Sequence, residues 1–368
     1  MTSTPTPSRP ADRPLRAGVI GLGWAGQQHL DDYAADPGVE LVAIAAMEEH
    51  LLERFGAQYE VPGRHRDYRD MLAAEQLDVV SVATPTFLHA PIAIAALEAG
   101  VDVLCEKPMA ESAEAAARMV EAAERTGRVL EVSFNHRQRG DVTALAEVVA
   151  SGVLGRISYA KAAWLRREGI PGLGTWFTQA EKSGGGALAD IGVHMLDMAL
   201  HLMGEPRVLS ASASTFAEFG PRGRGGSGFG VSEVAADVPF EVEDLATALL
   251  RLEDGRALAL EASWAQYVPH DQCIVELYGS EGGARITFNA PGHEDTIAVW
   301  TDVEGFPAEL HPEVGPDGRH AAAVANFLAV VRAGDPAGHS GRLALRRARV
   351  LDACYASAEE GREVAVAD

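Results

Sequence analysis

Cysteine is scarce in this 368-residue sequence, and its few copies lie far apart. Cys105, Cys273 and Cys354 are an odd number with no metal-ligand spacing, which argues against a disulfide framework and against a zinc module. We therefore expect a cytoplasmic protein of a reducing compartment that holds no metal.

Positive charge is also in short supply. The chain carries 31 Lys and Arg residues against 53 Asp and Glu, a formal net charge of −22. A field of that sign repels phosphate at long range, so neither a nucleic acid nor an anionic membrane is an expected partner. Any phosphate that the protein binds must be held by local geometry.

Long apolar runs are absent as well. The stretch 92–103 is interrupted by Glu98, Gly100 and Asp102, whereas a membrane-spanning helix needs about 18 to 20 apolar residues. Residues 1–14 lack the apolar core of a signal peptide, so we expect a disordered tail there. The apolar share of 47% is typical of a soluble globular protein.

Apolar strand-like runs alternate with helical stretches between residues 15 and 135, which we take as the first domain. Short runs that are buried on both faces and separated by crossover helices predict a doubly wound parallel sheet. The expected strands are 15–20, 40–46, 79–83, 102–105 and 129–134, and the expected helices are 25–34, 48–55, 91–99 and 110–125.

The expected strands of residues 136–368 are longer and alternate apolar with polar residues. They cover 157–166, 245–252, 257–264 and 274–278. This pattern predicts antiparallel hairpins in a second domain. We expect the glycine-rich segment Gly220–Val231 to be a flexible loop and Leu343–Glu360 to be a helix that packs on the sheet.

The segment Gly21-Leu22-Gly23-Trp24-Ala25-Gly26 fits the pattern G-x-G-x-x-G directly after the first expected strand. Glycines there let the turn close and let the backbone approach a diphosphate, whose charge is met by N–H groups at the start of a helix. The pattern alone is weak. In a strand-turn-helix context it favours a dinucleotide site over a tight packing turn.

The same pattern calls for an acidic residue about 20 positions later, to hold the ribose hydroxyls of the adenosine. Ala46 stands there and is followed by Met47, Glu48 and Glu49. NADP is therefore not excluded, but no arginine stands at the strand end for a 2′-phosphate and the glutamates would repel one. We expect NAD or NADP, with a preference for NAD.

Two further motifs follow the third and fourth expected strands. The segment Thr84–His89 (TPTFLH) follows one, and Glu106-Lys107-Pro108 follows the other. Ligands bind at the carboxyl ends of strands in open α/β sheets. A lone lysine in a loop is normally a solvated charge, but Lys107 at this position is a candidate for a fixed ammonium.

A polar cluster follows the glycine turn Gly184–Gly186 on an expected helix. At about 100° per residue, four side chains fall within about 60° of one another, namely Asp190, His194, Asp197 and His201. Because an α-helix rises about 1.5 Å per residue, the four side chains extend over too great a length of the helix to contact one ligand. Asp190 and His194, one turn apart, are therefore the candidates for chemistry. A solvated polar stripe is the alternative, and no third or fourth ligand suggests a metal.

Taken together, these motifs resemble the Gfo/Idh/MocA family, named for glucose-fructose oxidoreductase and inositol dehydrogenase. The match spans nearly the whole chain and includes Val242-Glu243-Asp244 and the turn Tyr278–Gly282. The resemblance implies a Rossmann domain followed by a larger α/β domain with an open, mostly antiparallel sheet. Members often form homodimers or homotetramers through that sheet.

By the same resemblance, Lys107, Asp190 and His194 match the catalytic set. The residues that match the cofactor site around the nicotinamide are Thr84, Pro85, His89 and Glu106, and Asn135 is assigned to cofactor binding with them. Arg137 and Trp176 are candidate walls of a polyol pocket, although simple core packing is an equally good interpretation of Trp176. Ala46 departs from the acid that many members carry.

These residue types suit the oxidation of a secondary alcohol, in which a hydroxyl proton leaves as hydride moves to the nicotinamide. His194, with an ordinary pKa near 6.5, can accept that proton while Asp190 orients its ring. Lys107 can stabilise the alkoxide or relay the proton. Either Lys107 or His194 can therefore be the base.

Three functions remain open. The first is an NAD(P)-dependent oxidoreductase that acts on a secondary alcohol or ketone of a sugar, inositol or related polyol. The second is an NAD-dependent glycosidase that works through transient oxidation. The third is a non-catalytic dinucleotide-binding sensor, which the presence of Lys107, Asp190 and His194 argues against.

Overall fold

The computed structural model describes residues 13–227, 239–288 and 296–368, so the expected tail lies almost wholly outside the described residues. The chain divides into two compact units. One comprises Met1–Ser133 and His320–Arg346, and the other Phe134–Arg319 and Arg347–Asp368. Within the described ranges, no helix is long and apolar enough to cross a membrane.

Strands and helices alternate in the first 133 residues. In chain order they are β1 (Leu15–Ile20), α1 (Trp24–Ala35), β2 (Val39–Ala45), α2 (Glu49–Gln58), β3 (Gly63–His65), α3 (Tyr68–Ala74), β4 (Val79–Val82), α4 (His89–Glu98), β5 (Asp102–Glu106), α5 (Ala113–Thr126) and β6 (Leu130–Ser133).

Strands dominate the rest of the chain. In order, the elements are α6 (Gly140–Ala150), β7 (Tyr159–Leu165), α7 (Ala180–Ser183), α8 (Val193–Leu202), β8 (Val208–Phe216), β9 (Leu245–Leu252), β10 (Ala257–Ser263), β11 (Gln272–Tyr278), β12 (Gly282–Phe288), β13 (Ile297–Val303), β14 (Phe306–Leu310), α9 (Arg319–Ala333), α10 (Arg342–Glu360) and β15 (Val364–Ala365).

The sheet of the first unit is parallel, as predicted. Its order is β3-β2-β1-β4-β5-β6, and every neighbouring pair runs parallel. All residues of β4 and β5 are buried, which is typical of a sheet covered by helices on both faces. The strand order reverses between β1 and β4, and such a switch point is where ligands bind in this class of fold.

The second unit contains the predicted open sheet. Its order is β14-β13-β12-β11-β7-β10-β9-β8-β15, and within it β7 and β10 pair in parallel, whereas the other described pairs are antiparallel. Burial alternates along the central strands. Helix α8 packs against β7, β10 and β11 on the buried face.

Helix α9 belongs to the first unit, although the sequence places it in the expected second domain. Its side chains Val324, Phe327, Leu328 and Val331 join the core that also contains Leu30 of α1. The spacing of these four residues is helical, but it does not specify which domain the apolar stripe covers. The division therefore differs from the expected one for residues 320–346.

The glycine-rich segment expected to be flexible is held by hydrogen bonds where the structure describes it. The N–H of Gly220 donates to Asp244 at 3.0 Å, and the carbonyl of Gly225 accepts from the N–H groups of Gly169 and Ile170 at 2.9 and 2.8 Å. Residues 228–231 of that segment lie outside the described residues.

The packing of α9 makes a stability prediction. Phe327 is only 1% exposed, so Phe327→Ala should lower the free energy of unfolding by about 3–5 kcal/mol through lost burial and a cavity. Urea denaturation measures the change. Phe306→Ala is the control, because that ring is 73% exposed and its removal should shift the midpoint little; equal effects of the two variants would contradict the packing of α9.

Candidate active site

Two glycines after β1 are needed for the turn itself. Gly21 has a φ of +91°, and a Cβ there would lie 2.4 Å from the carbonyl oxygen of Ala83. A Cβ on Gly26 would lie 1.9 Å from the oxygen of Gly21. Because both approaches are closer than any real Cβ contact, these positions accept only glycine.

The middle glycine faces open space instead. A Cβ on Gly23 would meet no atom within 4 Å, although Gly23 precedes the first turn of α1, whose N-terminus has no side-chain cap. The first N–H groups of a helix attract phosphate when no side chain caps them. Trp24 and Ala25 follow Gly23 as the first residues of α1. The turn therefore has both the space and the backbone N–H groups that suit the diphosphate of a dinucleotide.

The end of β2 differs from expectation in one respect. Ala46 is buried, Met47 is 75% exposed, and Arg66 reaches this point from the segment after β3. Its guanidinium donates to the carbonyl of Met47 at 3.5 Å and lies 3.8 Å from Glu49. An arginine therefore does stand at this strand end, but a carboxylate already faces it.

His89 joins the loops that follow β4 and β5. Its ring is buried, with Nε2 at 2.8 Å from the carbonyl of Thr84 and Nδ1 at 2.9 Å from that of Pro108. Burial lowers the pKa of His89, and the two carbonyls oppose that shift. A neutral ring carries one N–H, so His89 donates to one of these two carbonyls at a time while it packs between the segments at Thr84 and Pro108.

Glu106 is a buried carboxylate at the end of β5. Its Oε1 accepts from Nε2 of His29 at 2.9 Å, and its Oε2 accepts from the backbone N–H of Lys107 at 3.3 Å. Burial alone would raise its pKa, but the hydrogen bond from His29 and the nearby Lys107 charge lower it to about 2. The group is thus an anion at neutral pH.

A hydrogen-bonded chain behind Glu106 orients His29. Because an ionised carboxylate only accepts, Nε2 of His29 carries the proton, and Nδ1 accepts from the hydroxyl of Ser81 at 3.0 Å. The hydroxyl of Tyr33 donates in turn to Ser81 at 2.8 Å. Sequence motifs did not reveal His29, Ser81 or Tyr33, which lie on α1 and β4 without any recognisable spacing.

In the second unit, the V-E-D motif supports the glycine turn before the catalytic candidates. Glu243 accepts from the N–H groups of Gly186 and Leu188 at 2.9 and 2.8 Å and from the hydroxyl of Tyr355 at 3.0 Å. Burial raises its pKa while these donors oppose the shift. Its neighbour Asp244 caps the N–H groups of residues 218–220. The motif is therefore structural.

Asp190 lies in a single π-helical turn, Leu188–Gly192, which leads directly into α8. Its Oδ2 accepts from Nε1 of Trp264 at 2.9 Å, and Trp264 is completely buried. The indole at the end of β10 therefore fixes this carboxylate. Only the three-dimensional fold brings these two residues together, so sequence reasoning missed Trp264.

His194 follows on the same helical stretch and lies among aromatic rings. It is 6% exposed, and its ring centroid is 4.3 Å from that of His136 and 6.1 Å from that of Trp164. His136 belongs to the turn Asn135–Gln138, in which Asn135 is buried. The stripe is thus buried rather than solvated at this point.

The other members of the stripe and its neighbour Arg137 form a separate network. Arg137 donates to Asp197 with Nε at 2.9 Å and again with Nη2, and Nε of Arg347 donates to Asp197 at 3.1 Å. Glu205 pairs with Arg347 at 2.6 Å and lies 3.9 Å from His201. The expected substrate role of Arg137 stays a prediction, and the structure shows that its guanidinium also pairs with Asp197.

Trp176, the other expected pocket wall, stacks on a neighbouring ring. Its centroid lies 3.9 Å from that of Phe177, and both rings are half-buried. In the part of the chain that the structure describes, no cluster of three acidic, His or Cys side chains could hold a metal ion.

Family models match both parts of the chain. Residues 15–134 match the model described as "Oxidoreductase family, NAD-binding Rossmann fold", and residues 142–285 match the GFO/IDH/MocA C-terminal domain. The chain belongs to the Gfo/Idh/MocA family. It is an oxidoreductase whose first 134 residues include an NAD-binding Rossmann domain.

Named proteins of this family align with most of the chain. D-glucoside 3-dehydrogenase of Escherichia coli K12 is 35% identical over 86% of this chain and 87% of its own length. A putative UDP-kanosamine synthase oxidoreductase subunit of Amycolatopsis mediterranei S699 is 34% identical over 95% and 97%. The solved structure of levoglucosan dehydrogenase with NADH, 24% identical, superposes with a TM-score of 0.82 over 97% of this chain and 100% of that one.

The open space at Gly23 predicts a selective loss of cofactor binding. Gly23→Val should weaken NADH binding by at least about tenfold, because the side chain fills the approach to the diphosphate while φ, at −69°, tolerates it. Titration of NADH fluorescence measures the affinity. Gly315→Val is the matched control, since a Cβ there also meets no atom within 4 Å; unchanged affinity in Gly23→Val would remove the diphosphate assignment.

Proposed function

We propose that this protein is an NAD-dependent sugar dehydrogenase that oxidises a secondary hydroxyl of a D-glucoside or a related sugar, or reduces the corresponding ketone. The observation that carries the proposal is the 35% identity with D-glucoside 3-dehydrogenase over 86% of the chain. The turn at Gly23, which is open for a diphosphate, and the motifs around Lys107, Asp190 and His194 support it.

We propose Lys107, Asp190 and His194 as the catalytic residues. When bound, the cofactor supplies the hydride acceptor. His194 takes the proton from the substrate hydroxyl as the C–H bond breaks and the C=O bond forms, and Lys107 stabilises the alkoxide charge. Asp190, held by Trp264, orients the imidazole. In the alternative assignment, Lys107 takes the proton and His194 stabilises the alkoxide. The pH dependence of kcat in each single variant distinguishes the two assignments.

The test of the function is a substrate panel. Methyl glucosides, free sugars and inositols are incubated with NAD or NADP, and the absorbance of the reduced nicotinamide is followed. Net NADH formation with a glucoside supports the proposal. Cleavage of a glycoside with no net NADH would identify the glycosidase instead, and NADH binding without turnover would identify a sensor. We expect NAD to be preferred, because Glu48 and Glu49 oppose a 2′-phosphate and Glu49 faces Arg66.

Loss of either proposed catalytic side chain should abolish most turnover. Lys107→Ala and His194→Ala should each lower kcat by about 10²-fold or more, the usual effect of a removed general base or electrostatic stabiliser, while NADH affinity stays within a few-fold of wild type. Steady-state kinetics and NADH titration measure the two quantities. His311→Ala, an exposed imidazole, is the control; wild-type turnover in both variants would contradict the assignment.

The bond from Trp264 to Asp190 generates a further prediction. Trp264→Phe keeps an aromatic ring in the buried site but removes the indole N–H, so Asp190 loses the donor that fixes it. We expect kcat to fall about tenfold, with KM for NAD unchanged. Trp300→Phe on β13 is the control. A change in stability without any change in kcat would show that the bond serves packing alone.

We also propose that the open face of the second sheet joins copies of the chain in a homodimer or homotetramer of the cytoplasm. Leu249, Ala259, Lys161 and Glu276 lie opposite one another in register across four strands, and Leu249 is 46% exposed. An exposed apolar side chain on a broad sheet face, such as Leu249 here, is typical of an interface. The free cysteines Cys105, Cys273 and Cys354 agree with a reducing compartment.

Light scattering after size-exclusion chromatography tests this interface. We expect wild type to exceed the 38.9 kDa of one chain at least twofold and Ala259→Arg to dissociate, because the new charge would be buried against the partner. Glu304→Arg, in an exposed turn, is the control. A monomeric wild type would rule out the proposed assembly.

A further inference from the structure

His320 stands at a buried position of α9 where the helical pattern otherwise carries apolar residues. The buried side chains of this helix are at positions 320, 324, 327, 328 and 331. Four of them are apolar and pack in the core of the first unit, whereas His320, near the first turn, is an imidazole that is 7% exposed. Burying a polar ring is unfavourable unless its nitrogens are used, so packing alone does not account for it.

The surroundings of His320 come from the site already described in the first unit. Its ring meets the ring of Trp24 edge-on, with centroids 5.2 Å apart and an interplanar angle of 80°. Its Nε2 lies 3.8 Å from Oε1 of Glu106, and its ring centroid is 6.1 Å from that of His29. His320 therefore touches both the glycine turn and the buried anion.

These contacts place His320 across the switch point of the sheet. Trp24 is the first residue of α1, which follows β1, and Glu106 is the last residue of β5. Strand β4 lies between β1 and β5, so the two strand ends are about 10 Å apart at the usual spacing of about 4.8 Å. A dinucleotide bound at this crevice has its diphosphate at the glycine turn and continues towards the following strand ends.

We propose that His320 is a cofactor-binding residue that holds the nicotinamide half of NAD. Its imidazole carries two ring nitrogens that can form hydrogen bonds, and such groups suit a ribose hydroxyl or the carboxamide. The helix that carries it comes from residues 319–333, far along the chain from the glycine turn. The inference rests on the proposed function only for its use of NAD.

The experiment compares NADH affinity with stability. His320→Leu keeps a side chain suited to the buried stripe but removes both ring nitrogens. We expect its thermal midpoint without cofactor to stay near that of wild type, and its Kd for NADH, from fluorescence titration, to rise about three- to tenfold, the effect of one or two lost hydrogen bonds. His320→Gln, which restores a donor and an acceptor, should recover part of the affinity.

The control is His339→Leu. That imidazole belongs to the same C-terminal part of the first unit, but it pairs with Glu131 at 2.5 Å, so its loss should leave NADH binding unchanged. Wild-type affinity in His320→Leu overturns the proposal. Should that variant not fold, His320→Phe replaces it, since it keeps a ring beside Trp24 and has no N–H; the same two outcomes then decide.

Failure of this inference is distinguishable from failure of the proposed function. The titration needs no substrate, so a wild type that binds NADH but oxidises no sugar contradicts the proposed function and leaves the His320 comparison intact. A wild type that oxidises glucosides, with His320→Leu binding NADH equally well, contradicts the inference alone. A wild type that binds no NADH overturns both.

Discussion

The charge of Glu106 is the constraint on which the first unit's site depends. An isolated carboxylate inside a protein is unfavourable by several kcal/mol, and this one persists because His29 and the N–H of Lys107 donate to it. The chain of donors behind it runs from Tyr33 on α1 through Ser81 on β4. It thereby ties α1, β4 and β5 together where the strand order reverses, and it fixes a negative charge next to the proposed catalytic ammonium.

The second unit positions its carboxylates by the same means. Asp190 has an indole N–H, Glu243 has two backbone N–H groups and a phenol, and Asp197 has two guanidinium groups. Each acid has a different task, but in each case the donors come from residues distant in sequence. An acid held in this way loses rotational freedom before any ligand arrives, which favours the precise geometry that hydride transfer requires.

Local sequence information located the motifs and many of the elements, but strands β3, β8, β13 and β14 were not among those expected. The strands β1 and β9 lie where the hydrophobic pattern predicts them, because a short apolar run between turn residues has few alternatives. Gly21 and Gly26 of the first turn were recognisable, because sterics allow no other residue at either position. Trp264, His136 and His29 were not, since each acts through a contact that depends on strand pairing or helix packing, and no spacing in the sequence encodes it.

Two residues show why a motif does not by itself define a role. Arg137 lies near Asn135 and is predicted to line the substrate site, and the fold in addition pairs its guanidinium with Asp197, a contact that the motif does not indicate. His320 belongs to no motif, yet it lies against Trp24 and Glu106. The difference arises from long-range packing: an apolar stripe such as that of α9 indicates that the helix is buried but not against which sheet. Once α9 packs on the first unit, the length and register of the helix place the imidazole at its start beside the point where the strand order of the sheet reverses.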